Sequence, residues 1–275
     1  MNVFRTFARN ISGKVNKVGI IGVPFEKGQK KYGVSVAPAA LRTAGLVEQL
    51  REIGTVDGHY AVNEDMILIW VDAHADINTN KTSGSGSVHG MPVALLVKEL
   101  ADYWPYLPTM DWQVPKLSIK SLGYVGLRSV DAYERLAIQK HNVPCFTMED
   151  IEEYGIGRSI NHILSVLDPS ADKPIHVSFD IDSLDALEAP STGTPVRGGL
   201  TLREAVKLME IIHATGRLRA FDLVEINPAL GNDSDRKNTI EAGLCVLKAA
   251  LGFSRKGTIP QGLKDLPIQT NNDNK

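Results

Sequence analysis

Asp72, His74 and Asp76 stand at alternate positions in the run Trp70-Val71-Asp72-Ala73-His74-Ala75-Asp76-Ile77-Asn78. Alternate side chains of an extended chain point the same way, so two carboxylates and an imidazole can converge on one metal-sized spot. A lone run of this kind reads equally well as a strand end with a charged turn behind it. A second group tips the balance: Asp180 and Asp182 end the stretch Ile175-His176-Val177-Ser178-Phe179-Asp180-Ile181-Asp182. Four carboxylates in one cleft repel one another strongly unless cations neutralise them. Hard oxygen donors with one imidazole suit Mn²⁺ or Mg²⁺ better than a thiolate-seeking ion. Two such ions about 3.5 Å apart, sharing bridging carboxylates, could hold and ionise a water between them. The pattern points to a dinuclear hydrolase.

The elements that must position these groups are legible around them. Met66 to Val71 is a continuous apolar run, as expected of a strand buried on both faces. Val18–Val23, Leu122–Leu127, Pro144–Thr147 and Arg217–Val224 read as further strands, the last delivering Glu225. Helices are expected from Pro38 to about Glu52, over Met91–Leu100, Tyr133–His141, from near Asp150 and Arg158, and over Leu202–His213 and Thr239–Leu251. Strands alternating with helices predict an α/β fold, three layers deep, around a mainly parallel sheet, with ligands at the carboxyl ends of its strands. Between these elements, Glu26–Gly33 is a Gly/Lys-rich loop lacking the phosphate-cradle spacing. Asn78–Gly90 is a polar loop ending in Val88-His89-Gly90, positioned as a lip of the site. Trp104–Pro115 reads as an irregular loop.

The remaining composition narrows the function classes. The chain has 275 residues, 43% of them apolar, enough for one sizeable domain. A net charge of −2 gives no electrostatic support for nucleic-acid binding. Cys145 and Cys245 form no motif, as suits a reducing compartment. No stretch approaches the roughly 18 uninterrupted apolar residues of a membrane span. Residues 1–17 carry Arg5, Arg9, Lys14 and Lys17 and no acid, with Val3, Phe4, Phe7 and Ile11 able to share a helix face. That is the composition of a mitochondrial transit peptide, and equally of a short ragged terminus. The expected layout is therefore a leader or disordered segment over 1–16, one domain over 17–253, and a polar, mobile tail over 254–275.

Taken together, WVDAHADIN, SFDIDSLDALEAPSTGTP, RGGLTLREA and DLVEINP resemble the arginases of the ureohydrolase family, over about Lys17 to Phe253. The resemblance implies two Mn²⁺ ions per subunit, bridged by Asp72 and Asp180. His74 and Asp182 would be ligands of one ion and Asp76 of the other. It further implies His89 as the proton-shuttling histidine, Glu225 as the acceptor of the guanidinium, and Thr194 as a hydroxyl lining the metal-water site. Asp131 would pair with the substrate ammonium, and Ser85 with its carboxylate. Ser87 stands where the family pattern S-G-N-x-H-G has asparagine, so its shorter side chain would reach that carboxylate through water. The implied substrate is L-arginine, with agmatine as the alternative. The implied assembly is a homotrimer or homohexamer, in the mitochondrial matrix or the cytoplasm.

One element of the family pattern is missing. Arginases carry a further histidine ligand in a Gly-Gly-Asp-His-Ser turn at the end of an earlier strand, and this chain has no such turn. His59, in Asp57-Gly58-His59, is the only histidine before Asp72, but its segment matches the helix that follows the missing turn. The expectation is an arginase-like sheet short of two strands, one of them interior, with a break between about Glu52 and Ile53. One metal position would be weakened, and the sheet would have to close over a gap. Two functions follow as alternatives: a working arginase, or a shortened, catalytically weak or inactive member that only associates with full-length subunits.

Overall fold

The computed structural model describes residues 4–8, 18–22, 24, 28–46, 65–104, 114–256 and 265–266. His59 and the expected break lie outside these residues, as do most of the loop before Pro115 and most of the tail.

The apolar run that ends in the Asp-His-Asp motif forms β3 (Ile67–Val71), with all five residues buried. It pairs in parallel with β4 (Leu122–Leu127) on one side and β6 (Ile175–Asp180) on the other. Successive side chains leave on opposite faces, and the core divides accordingly. Ile67, Ile69 and Val71 pack with α5 (Ile156–Leu167), α6 (Leu202–Ala214) and α7 (Asp233–Ala250) in one apolar cluster. Leu68 and Trp70 join the other cluster, with Val93 of α2 (Pro92–Leu96) and Ile138 of α3 (Ala132–Lys140). The three-layer α/β/α architecture follows from that alternation.

Among the described residues the sheet has seven strands: with β1 (Phe4–Ala8), β2 (Val18–Gly22), β5 (Cys145–Thr147) and β7 (Leu218–Val224), the order is β2-β1-β7-β6-β3-β4-β5. β5 is the short strand Cys145–Thr147, and β7 (Leu218–Val224) runs parallel to β6. The five strands β7-β6-β3-β4-β5 form the parallel body of the sheet.

Beyond β7 the structure answers the expected gap. β1 (Phe4–Ala8) lies between β7 and β2 (Val18–Gly22), antiparallel to both. Thr6 stands opposite Ile20 on one side and Phe221 on the other. The helical reading of the amino-terminal residues is therefore corrected for Phe4–Ala8. Extended backbone there satisfies the polar groups along β2 and β7, which a helix would leave unpaired. Its β-branched and aromatic residues suit that role.

Smaller differences concern boundaries. The helix expected over Met91–Leu100 is α2 followed by a 3₁₀ segment, Lys98–Tyr103. α1 spans Ala37–Thr43, Leu46 is helical again, and the rest of the helix expected to about Glu52 lies outside the described residues; α4 spans Met148–Tyr154. α7 begins six residues before Thr239 because the Asn232 side chain accepts the N–H groups of Ser234 and Asp235.

Candidate metal centre

The site is built where β3, β4, β6 and β7 end. At the end of β3 the Asp72 N–H still donates to the Val125 carbonyl at 3.1 Å, as the last rung of the ladder. The chain then leaves the sheet, and the Ala73 carbonyl accepts the N–H groups of Arg128 and Ser129, both at 3.0 Å. Asp76 sits in the left-handed region at φ 52°, a conformation uncommon outside glycine that re-aims its carboxylate. On β6, Asp180 accepts the Asp182 N–H at 2.8 Å and thereby starts the 3₁₀ turn Ile181–Ser183. Arg128 joins the two strand ends, donating to the carbonyls of Asp182 at 2.7 Å and Val196 at 2.7 Å.

Asp72, His74 and Asp182 come together, with one ligand atom of each within 4.8 Å of the others. His74 Nδ1 lies 3.4 Å from Asp72 Oδ1 and 3.3 Å from Asp182 Oδ2. The groups behind them hold their orientation. The Trp70 indole N–H donates to Asp72 Oδ2 at 2.9 Å, and the Thr194 hydroxyl donates to Asp182 Oδ2 at 2.9 Å.

Burial, then the neighbouring charge of Asp182, pushes the Asp72 carboxyl up to about 7. Burial raises Asp180 and Asp76 well above the usual carboxylate range, and adjacent carboxylates add to it. Burial opposes the charged form of His74, yet its bonds to Asp182 and Asp72 carry it up to about 11. Asp182 is buried too, but His74 holds it below the ordinary carboxylate range. Protein groups alone thus leave the cluster competing for protons. Oxygen-rich donors with one imidazole, arranged this tightly, fit a hard divalent cation that replaces those protons.

A cavity of about 150 Å³ opens onto the cluster, with Asp76, Ser85, His89, Asp131, Asp180 and Thr194 among its lining. His89 sits in the 3₁₀ turn Val88–Gly90, its backbone N–H donating to the Gly28 carbonyl at 3.1 Å. Burial lowers its imidazole, and the Glu225 charge opposes that shift. Glu225 follows β7, is 6% exposed and adopts φ 62°, with its carbonyl fixed by the Thr192 hydroxyl at 2.9 Å. It is not among the lining residues of this cavity, although its charge acts on both Asp180 and His89. Asp131 accepts the Asn78 side-chain amide at 2.9 Å. Ser85 is exposed, and its hydroxyl accepts the Ser87 N–H at 3.2 Å. Ser87 is not among the lining residues, whereas Ser83 is.

Three supporting residues escaped the sequence reading. Glu134 accepts the N–H groups of Ile77 at 3.1 Å and Asp131 at 2.9 Å, tying the segment after β3 to the start of α3. Its signal was present as Asp-x-x-Glu at a helix start. Asn78 lay inside the motif without an assigned partner. Gln29, in the loop dismissed as a phosphate cradle, donates to Glu225 Oε2 at 2.6 Å, and no local pattern announces that contact.

A family model described as the Arginase family matches residues 48–252. The mitochondrial arginase-2 of Bos taurus is 35% identical, the alignment covering 93% of this chain and 90% of that protein. Arginase-1 of Sus scrofa is 34% identical over 90% of this chain and 96% of its own length. The alignment with the Bos taurus protein runs over 320 positions, more than the 275 residues present here, so a stretch of that relative has no counterpart. Among solved structures, an arginase from Bacillus subtilis superposes with a TM-score of 0.72 at 28% identity, covering 85% of this chain and 97% of that one.

Proposed function

Because this chain belongs to the arginase family, whose members are hydrolases acting on guanidino groups, we propose that it hydrolyses L-arginine to L-ornithine and urea with bound Mn²⁺. The observation that carries this reading is the convergence of Asp72, His74 and Asp182, the last two of which line a cavity together with His89, Ser85 and Asp131. In this reading Asp72, His74, Asp76, Asp180 and Asp182 hold the metal. Bound Mn²⁺ supplies Lewis-acid activation that makes a water nucleophilic near neutral pH.

The chain's own groups do the rest. Ser85, with Ser87 behind it, receives the substrate carboxylate, and Asp131 receives its ammonium. Glu225 offers a planar acceptor to the guanidinium. Thr194, donating to Asp182, keeps that carboxylate's lone pairs aimed at the cluster. The oxygen of water adds to the guanidinium carbon, and the bond from that carbon to the δ-nitrogen breaks. His89, kept largely neutral by burial, takes up the proton that the water loses and returns it to the departing amine nitrogen.

The test is urea release from L-arginine by the purified chain with added Mn²⁺, with agmatine as the competing substrate. Urea from agmatine in preference to arginine would reassign Asp131 and Ser85; urea from neither would overturn the reading.

A second reading is favoured by one observation: among the described residues the metal-capable group contains a single histidine, His74. In that reading the chain is a shortened, weak form that contributes by joining full-length subunits in a trimer or hexamer. Metal content per chain separates the two, two ions supporting the first and one or none the second. A location in the mitochondrial matrix or the cytoplasm belongs to the same proposal, as relatives include a mitochondrial arginase-2. No helix among the described residues is long and apolar enough to cross a membrane.

A further inference from the structure

The loop after β2 runs across the site and touches three of its parts. Gly28 accepts the backbone N–H of His89 at 3.1 Å. Gln29 donates to Glu225 Oε2 at 2.6 Å, and the Lys31 ammonium donates to the Gly193 carbonyl, next to Thr194. At its far end the loop is pinned by the Asn227 side-chain amide, which donates to the Tyr32 carbonyl at 3.1 Å. Gly193 makes room for this arrangement: a Cβ there would stand 2.7 Å from Gln29 Oε1.

We propose that Gln29 is a positioning residue for Glu225 that sets selectivity for a guanidinium group. The assignment rests on the arginase reading above. The Glu225 carboxylate has two oxygens, and a planar guanidinium uses both only when the carboxylate plane is held. Gln29 fixes one oxygen through an uncharged donor, which orients the plane and leaves the negative charge for the substrate. A lysine at that position would neutralise the acceptor, and a glutamate would repel it.

The test compares Gln29→Ala, Gln29→Glu and Lys31→Ala, all loaded with Mn²⁺ and checked for equal metal content and melting temperature. Two readouts are needed: kcat and KM for L-arginine, and the Kd of L-norvaline, which has the amino-acid head group but no guanidinium. Gln29→Ala is expected to lower kcat/KM for arginine at least about tenfold, Gln29→Glu further, with norvaline affinity held within about twofold. Lys31→Ala loosens the same loop without touching Glu225 and is expected to have the smaller effect. Equal losses for Lys31→Ala and Gln29→Ala, or equal losses of arginine and norvaline binding, would overturn the assignment in favour of simple bracing. Wild-type turnover with an unaffected Gln29→Ala overturns this assignment alone. A wild-type chain that releases no urea overturns the arginase reading and this assignment with it.

Discussion

The indole N–H of Trp70 points along the sheet end to Asp72 Oδ2, 2.9 Å away, while Asp72 Oδ1 accepts the His74 N–H at 2.7 Å. Both oxygens of a nearly inaccessible carboxylate are thus oriented by donors two residues before and two residues after it. Trp70 belongs to the core and the candidate metal centre at once, since its ring packs in one apolar cluster and its nitrogen serves the site.

Replacing that donor should weaken the metal without unfolding the chain. Trp70→Phe keeps most of the ring's burial but leaves Asp72 Oδ2 without its partner. The expected outcome is a loss of Mn²⁺ affinity of about tenfold to a hundredfold, the usual effect of removing a group that orients a ligand. Equilibrium dialysis against Mn²⁺ measures it; unchanged affinity would remove Asp72 from the ligand set.

β1 carries a second prediction. Because Thr6 stands between Ile20 and Phe221, Thr6→Pro removes an N–H from a strand paired on both sides and leaves a carbonyl partner unsatisfied. A cost of about 2 kcal/mol is expected, read as a melting temperature several degrees lower. Deleting residues 1–8 should be worse, since it exposes the edges of both β2 and β7. A melt unaffected by either change would show that another segment fills this position.

Gly33 tests the loop that crosses the site. It holds φ +111°, and a Cβ there would lie 2.2 Å from the Ala229 Cβ and 2.5 Å from Asn227 Oδ1. Gly33→Ala combines left-handed strain with a clash and should cost about 1–3 kcal/mol. The loop is expected to shift, with arginine turnover falling more than Mn²⁺ binding. Full activity at an unchanged melting temperature would count against the loop's part in the site.

Far from the centre, Asp168 sets an acid limit on stability. Burial alone would raise its carboxyl, but the N–H groups of Lys173 and Asp172, the Ser170 hydroxyl and Arg217 together hold it below the usual range. The depressed group binds fewer protons in the folded chain than in the unfolded one. Its contribution is therefore fully present above the unfolded value of about 3.9 and is lost as pH falls through the lower, folded value. Asp168→Asn should lower the melting temperature at pH 6 and narrow the gap to wild type as pH drops toward 3. A constant gap across that range would refute the linkage.

How much of this was legible beforehand divides along physical lines. β3 could be read from Met66–Val71 because burial on both faces demands an unbroken apolar run, and the ligand spacing at 72, 74 and 76 is a local property of extended chain. The meeting of that group with Asp180 and Asp182 was expected from two strands ending in carboxylates, with charge repulsion calling for cations, and the parallel pairing of β3 with β6 is what sets the two strand ends side by side. Helix ends were less legible, because caps such as Asn232 compete with many similar polar residues.

Two features lay beyond local pattern. The amino-terminal residues are basic and apolar at helical spacing, so by themselves they suggest a leader or, equally, a short ragged terminus. Only the open ladder positions along β2 and β7, which are distant in sequence, select the extended form at Phe4–Ala8. Likewise Gln29 and Glu225 are separated by 196 positions, and no periodicity links them. The sequence by itself determined the donor types, their spacing and the strands that carry them, because these are properties of short stretches of chain. The tertiary structure decided which loop faces Glu225 and which segment completes the sheet, because both depend on partners that only folding brings within hydrogen-bond reach.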